Sequence, residues 1–93
     1  MYFRITTFSY DPEREGEFIA IADAARDEMK GIEGLQTIRS ARVADGKSVT
    51  VASYDTEESA NAAMPKIQEI LGKLAAVMTE PPEVQEGPVI WEL

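Results

Sequence analysis

From Met1 to Phe8 the chain alternates, with Phe3 and Ile5 on one face and Arg4 and Thr6 on the other. That two-residue period, in a run rich in aromatic and β-branched side chains, predicts a half-buried strand. Ser9-Tyr10-Asp11-Pro12 then reads as a turn, and the period changes. Phe18, Ile21, Ala22, Ala25 and Met29 recur at helical spacing, while Glu17, Asp23, Arg26, Asp27 and Lys30 occupy the opposite face. Asp11 is placed to cap this helix, Pro12 suits its first position, and Glu13 and Glu15 complement its positive end. Gly31 is expected to end it in a left-handed conformation.

A second strand is expected over about residues 35–44, followed by Asp45-Gly46, the strongest hairpin signal in the chain. The third strand, Lys47 to Tyr54, alternates Val49, Val51 and Ser53 against Thr50, Ala52 and Tyr54. A two-residue loop and a longer one pair different partners, and a one-residue slip exchanges the faces, so the register stays open. Asp55 or Thr56 caps a second helix whose apolar stripe runs Ala60, Ala63, Met64, Ile67, Ile70, Leu71, Leu74 and Met78. Pro65 lies inside that stripe and removes a backbone hydrogen bond, at about 3 kcal/mol in a helix interior. A kink, or two helical pieces meeting near Met64, is expected there, and the kept phase of the stripe favours the kink. Residues 79–88, with Pro81, Pro82, Gly87 and Pro88, read as an irregular crossing loop, and Val89–Leu93 as a last short strand.

The order β-α-β-β-α-β predicts one α+β domain spanning residues 1–93. In this ferredoxin-like arrangement a four-stranded antiparallel sheet carries both helices on one face. If the helices cover Phe3, Ile5, Val49 and Val51, the other face holds Arg4, Thr6, Phe8, Thr50, Ala52 and Tyr54, joined by Ile90 or Trp91. That mixture is too apolar for an ordinary wet surface and too polar for a dry core. It suits a partly wetted cavity closed by another sheet.

Composition removes whole classes of chemistry. The 93 residues include no cysteine and no histidine. Disulfides, thiolate metal sites and cysteine nucleophiles are thereby excluded, as are the commonest general base and haem ligand. No metal-ligand cluster or phosphate-binding glycine loop is present, and no cofactor is expected. Nine basic against seventeen acidic residues give a formal charge of -8. A surface of that sign argues against nucleic acid and membrane partners. No apolar run approaches the ~20 residues that span a bilayer, and MYFRITTF lacks a signal-peptide pattern, so a cytoplasmic protein is expected.

Two stretches carry a family resemblance. They are Gly31-Ile32-Glu33-Gly34-Leu35, before the second strand, and the run from Val49 to Ala60, VTVASYDTEESA, from strand into helix. With the order and lengths of the elements over nearly the whole chain, they resemble the dimeric α/β-barrel superfamily and, within it, the antibiotic-biosynthesis-monooxygenase-like (ABM-like) proteins. The resemblance implies a homodimer packed sheet to sheet, each half enclosing a pocket between sheet and helices. It also implies an apolar or aromatic small ligand and, in the cofactor-free monooxygenases of the group, asparagine and tryptophan near the pocket. Asn61 could stand for that asparagine. The chain departs from the family at Tyr54, where tryptophan is frequent, and in lacking a histidine on the following helix.

The candidate pocket residues are therefore Arg4, Thr6, Tyr54, Asn61 and Trp91, with no catalytic residue assigned. Arg4 could bind an anionic or carbonyl group, or pair with a carboxylate. Tyr54 could donate to a ligand or pack at a strand end. Trp91 reads as an interface anchor or a pocket wall, and Asn61 as a site residue or a solvated helix position. Arg39 and Arg42 are expected to blunt a sheet edge. The alternative to a cofactor-free monooxygenase is a non-catalytic dimerisation or ligand-binding module. Other uses of the fold fit less well. An RNA-binding sheet needs a basic third strand with exposed aromatics, a copper chaperone needs paired cysteines, and an acylphosphatase needs a glycine-rich loop where Ser9-Tyr10-Asp11-Pro12 stands.

Overall fold

A computed structural model describes residues 1–93. The alternating segments form strands β1 (Tyr2–Ser9), β2 (Leu35–Ala44), β3 (Lys47–Tyr54) and β4 (Glu83–Pro88). The helical segments are α1 (Glu15–Ala24), α2 (Arg26–Lys30), α3 (Glu57–Ala62) and α4 (Met64–Leu74), with a 3-10 turn over Pro12–Arg14. The strands make one antiparallel sheet in the order β2-β3-β1-β4, the ferredoxin-like topology expected from the element order. No helix is long and apolar enough to cross a membrane.

Local chemistry accounts for most boundaries. Asp11 accepts a hydrogen bond from the Glu13 backbone amide at 3.0 Å, and Thr56 accepts one from Ser59 at 3.1 Å, each relieving an otherwise unpaired donor at a helix start. Gly46 has φ +72°, as the tight turn between Ala44 and Lys47 requires. Those two residues pair across a two-residue loop, and a bulge at Val43 resets the ladder so that Arg42 faces Ser48. Gly31 ends α2 in a right-handed conformation, φ -82°; the left-handed glycine is Gly34, φ +81°, three residues on. The descending chain makes its sharp turn into β2 there, correcting the expectation at Gly31.

The run around Pro65 is two helical pieces that meet at Ala63, which keeps right-handed angles. Ala63 N–H donates to Ser59 and Ile67 N–H to Ala63, so the path continues. Pro65 has no N–H for the preceding turn, and the helix divides there. Ala60, Ala63, Ile70 and Leu74 are buried along both pieces, so the stripe holds its phase.

Two further expectations are overturned. The faces of the sheet are reversed: Tyr2, Arg4, Thr6 and Phe8 of β1 lie beneath the helices with Ser48, Ala52 and Tyr54, whereas Phe3, Ile5, Thr7, Val49 and Val51 line the open face, half-buried. The aromatic residues decide this. Tyr2, Phe8 and Tyr10 share one parity, and Phe8 and Tyr10 pack on Phe18 of α1 with ring centroids 5.1 and 4.8 Å apart. Burying these large rings outweighs burying Phe3 and Ile5. The last strand is also displaced. It is Glu83–Pro88, within the expected loop, and Val89–Leu93 continues past the sheet with Ile90, Trp91 and Leu93 exposed. Gly87 and Pro88 are tolerated because β4 is an edge strand with β1 as its one neighbour.

Candidate functional site

The helices do not cover the whole sheet. Along β2, on the helix side, a cleft of about 580 Å³ opens between that strand and the α1–α2 segment. Phe18, Ile19, Ala22 and Met29 form its helical wall, and Leu35 and Ile38 its strand wall. Asp23, Arg26 and Lys30 add charge on the helical side, and Gln36, Thr37 and Ser40 add neutral polar groups on the strand side. The cleft exists because α1 is apolar on two sides. Phe18 turns into the core, while Ile19 stays 53% exposed and faces the cleft. An apolar concavity with a few polar groups is the usual form of a small-molecule site.

Contiguous with this cleft is a smaller recess of about 230 Å³, which shares Phe18, Ile19 and Ser40 with it and ends against Tyr10, Glu15, Arg42 and Ser48. Here the chain builds a clamp. Arg42 Nε and Nη2 donate to the two carboxylate oxygens of Glu15 at 2.7 and 2.5 Å, and Tyr10 Oη donates to Glu15 at 2.9 Å. These bonds hold the Glu15 carboxyl down to about 2, with the Arg42 bond the larger cause. Tyr10 is pushed the other way, by burial first and by its bond to Glu15 second, with Ser48 opposing. Arg42 stands on β2, an edge strand of the sheet, and its guanidinium also ties that strand to Glu15 at the start of α1. Ser48 is 4% exposed, and its Oγ is the buried side-chain polar atom with no hydrogen-bond partner.

None of the five residues singled out from the sequence lines either concavity. The structure brings Arg4 and Tyr54 together, with Thr6 beside Arg4 on the same face of β1, in a packed polar cluster beneath α3. Arg4 is 3% exposed. Its Nε donates to Glu86 at 3.1 Å, Nη1 to Tyr54 Oη at 3.1 Å and Nη2 to the Ala60 carbonyl at 2.8 Å. Its guanidinium carbon also sits 5.2 Å from the centre of the Tyr54 ring. Tyr54 is fully buried, which raises its pKa, opposed by Arg4. Tyr2 Oη donates to the other oxygen of Glu86 at 3.1 Å. Thr6 is buried opposite Thr50 and Val84. Asn61 is exposed on α3, and Trp91 is 75% exposed beyond β4.

Sequence reasoning misses the cleft residues. Helical spacing puts Met29 and Ala22 on the core stripe and leaves Ile19 on neither face. The available signal is Ile19 itself, an apolar side chain adjacent to the stripe, which gives α1 a second apolar side.

No protein-family model matches the chain, and no curated protein matches it by sequence. Solved structures do. A monooxygenase from the gene ActVA-Orf6 of Streptomyces coelicolor, in complex with Nanaomycin D, superposes with TM-score 0.83 at 17% identity, covering 99% of this chain and 89% of that one. A variant of SnoaB, a cofactor-independent oxygenase from Streptomyces nogalater, gives 0.81 at 16% identity, covering 99% and 95%. A candidate antibiotic biosynthesis monooxygenase from Bordetella bronchiseptica gives 0.81 at 20%, covering 97% of each chain. At these identities the likeness is one of fold: this chain has the ABM-like, ferredoxin-like fold that those monooxygenase structures share.

Proposed function

We propose that this protein is a small cytoplasmic homodimer that binds an apolar or aromatic metabolite in the cleft between α1–α2 and β2. The observation that carries the reading is the cleft itself, about 580 Å³ in volume, with Phe18, Ile19, Met29, Leu35 and Ile38 in its walls. A volume in this range suits a ligand of two or three fused rings. The homodimer closes over the open sheet face, where Phe3, Ile5, Val49 and Val51 are half-buried. The exposed Trp91 and Ile90 add to the contact.

A second reading adds chemistry. Two structures of the same fold are named as a monooxygenase and a cofactor-independent oxygenase. A ligand able to reduce dioxygen itself needs no further reductant. A ring methylene takes up one dioxygen and becomes a ring carbonyl. One oxygen atom stays in the carbonyl, and the other leaves as water with the two methylene hydrogens. In that reading the cleft holds and orients the ring, and the metabolite supplies the electrons. The non-catalytic reading is favoured by the strand wall of the cleft, which holds apolar and neutral groups, with Tyr54 and Arg4 outside it.

Titration of the protein with 1,4-naphthoquinone, followed by amide shifts, tests the binding reading; Ile19, Ala22 and Ile38 are expected to move first. No saturable shift would overturn it. Dioxygen uptake with anthrone above the protein-free rate, yielding one anthraquinone and one water per dioxygen consumed, would select the catalytic reading over the binding module.

A further inference from the structure

The open face of the sheet carries its charges in a set order, fixed by the strand register. Ile5 at its centre lies between Val51 of β3 and Gln85 of β4, and Val51 pairs on its other side with Arg39 of β2. One row on, Thr7 lies between Val49 and Glu83, and beyond it Ser9 pairs with Lys47. The apolar middle is therefore flanked by Arg39 and Lys47 on the β2–β3 side and by Glu83 on the β4 edge. Arg39, Lys47 and Glu83 are all exposed. Six of the nine basic residues form ion pairs within the chain, and Arg39 and Lys47 are two of the three that do not. Glu83 joins no ion pair either. In a chain with seventeen acidic residues, two unpaired cations on one face are unusual.

We propose that a second copy of this chain binds the face turned about an axis parallel to the strands, so that β2 of each protomer lies across β4 of the other and Arg39 meets the partner's Glu83 at both edges. The inference rests on the homodimer reading, and it specifies the orientation of the two copies and the residues that select it. A two-fold contact uses the same patch on both sides, and two such axes lie in the plane between two aligned sheets. An axis across the strands sets β2 on β2 and β4 on β4. It gathers Arg39 against Arg39 and Glu83 against Glu83, which like charges resist. An axis along the strands exchanges the edges. The partner's Glu83 then falls one register row from Arg39, on the side toward Lys47. Stacked sheets stand about 10 Å apart, a gap that an arginine and a glutamate reaching from opposite sides can bridge. Ile5 and Val51 meet their counterparts in the apolar middle, and the charges stay at the rim, where they set partner and register more than strength.

Sedimentation equilibrium of the wild-type chain, of Arg39→Glu, of Glu83→Arg and of the chain carrying both substitutions tests the pairing. Each single reversal sets like charges together at both edges and is expected to raise the dimer dissociation constant about 10-fold or more at low salt. The doubly substituted chain restores both pairs with their signs inverted and should recover most of the wild-type affinity. An equimolar mixture of the two single variants should do the same, since each edge of the mixed dimer then holds one acid and one base. Arg39→Gln removes the pair without setting like charges together, so its loss should fall between wild type and Arg39→Glu. These differences should shrink at about 1 M salt, where charges are screened within about 3 Å. Single variants that dimerise like wild type, a mixture no tighter than its components, or a loss in Arg39→Gln as large as in Arg39→Glu would overturn the orientation while leaving the dimer standing. Wild-type protein at the single-chain mass throughout would remove the dimer reading, and this pairing with it.

Discussion

Arg4 Nη2 lies 2.8 Å from the carbonyl oxygen of Ala60, a bond that joins a central strand to the helical turn just before Pro65. The same guanidinium reaches Tyr54 on β3 and Glu86 on β4. One side chain thus ties together three strands and a helix.

Removing it leaves several polar groups stranded. Arg4→Ala is expected to destabilise the protein by about 2–4 kcal/mol, the range for breaking a buried hydrogen-bonded charge. Lysine offers one compact ammonium in place of the planar fork, so Arg4→Lys should recover less than half of the loss. Urea unfolding checks both: the midpoint should fall with the slope unchanged.

The Glu15–Arg42 clamp makes stability depend on pH. Glu15 has a folded pKa of about 2 against 4.5 ordinarily. A depressed carboxylate pKa contributes stability that is complete above about pH 4.5 and drains away as pH falls toward 2. Glu15→Gln should flatten the decline between those values and lower the melting temperature most above pH 5. Melting curves from pH 2 to 7 decide it; parallel profiles for the two proteins would remove the clamp from the account.

Gly34 is a position where even the smallest substitution should be poorly tolerated. Its φ is +81°, and an added Cβ would run into the side chains of Ser59 and Asp55. Gly34→Ala is expected to cost about 1–3 kcal/mol. At Gly72, inside α4, an added Cβ would meet nothing within 4 Å, so Gly72→Ala should stabilise by up to about 1 kcal/mol. Thermal melts of the pair would show opposite signs.

The proposed homodimer predicts a molar mass in solution of twice the 10.3 kDa chain. Ile5 sits at the middle of the open face, opposite Val51 and Gln85. Ile5→Glu places a charge in a dry sheet-to-sheet contact and should return the single-chain mass with the circular dichroism unchanged. Light scattering makes the measurement, and a wild-type protein at the single-chain mass would sink the dimer.

The element order and topology were legible because they follow from local signals: the period change after Phe8, the Asp11 and Thr56 caps, and the glycine turn at Asp45-Gly46. What was not legible depended on neighbours. Phe3 and Ile5 compete with Tyr2 and Phe8 for the helix side, and the outcome turns on Phe18, a partner distant in sequence. Arg4 looks like a surface or pocket residue until three acceptors from separate elements surround it. Residues 83–88 read as a loop because glycine and proline weaken a central strand, yet an edge position tolerates both. The cleft escaped for a related reason. Ile19 reveals its role only once the helices are seen to leave β2 uncovered.

The pairing of β1 with β4 has a kinetic consequence. Tyr2 meets Pro88, and Val89 N–H donates to the Met1 carbonyl at 2.9 Å, so the chain must close on itself across nearly its full span before that ladder forms. The β2–β3 hairpin, by contrast, joins residues a few positions apart. Assembly therefore has one cheap local step, the hairpin, and two distant closures, β3 onto β1 and β4 onto β1. Such non-local pairing makes folding slower than that of a helical bundle of the same length. In the interval the long edge of β1 stands unpaired, the moment at which a newly made chain is most exposed to joining another of its kind.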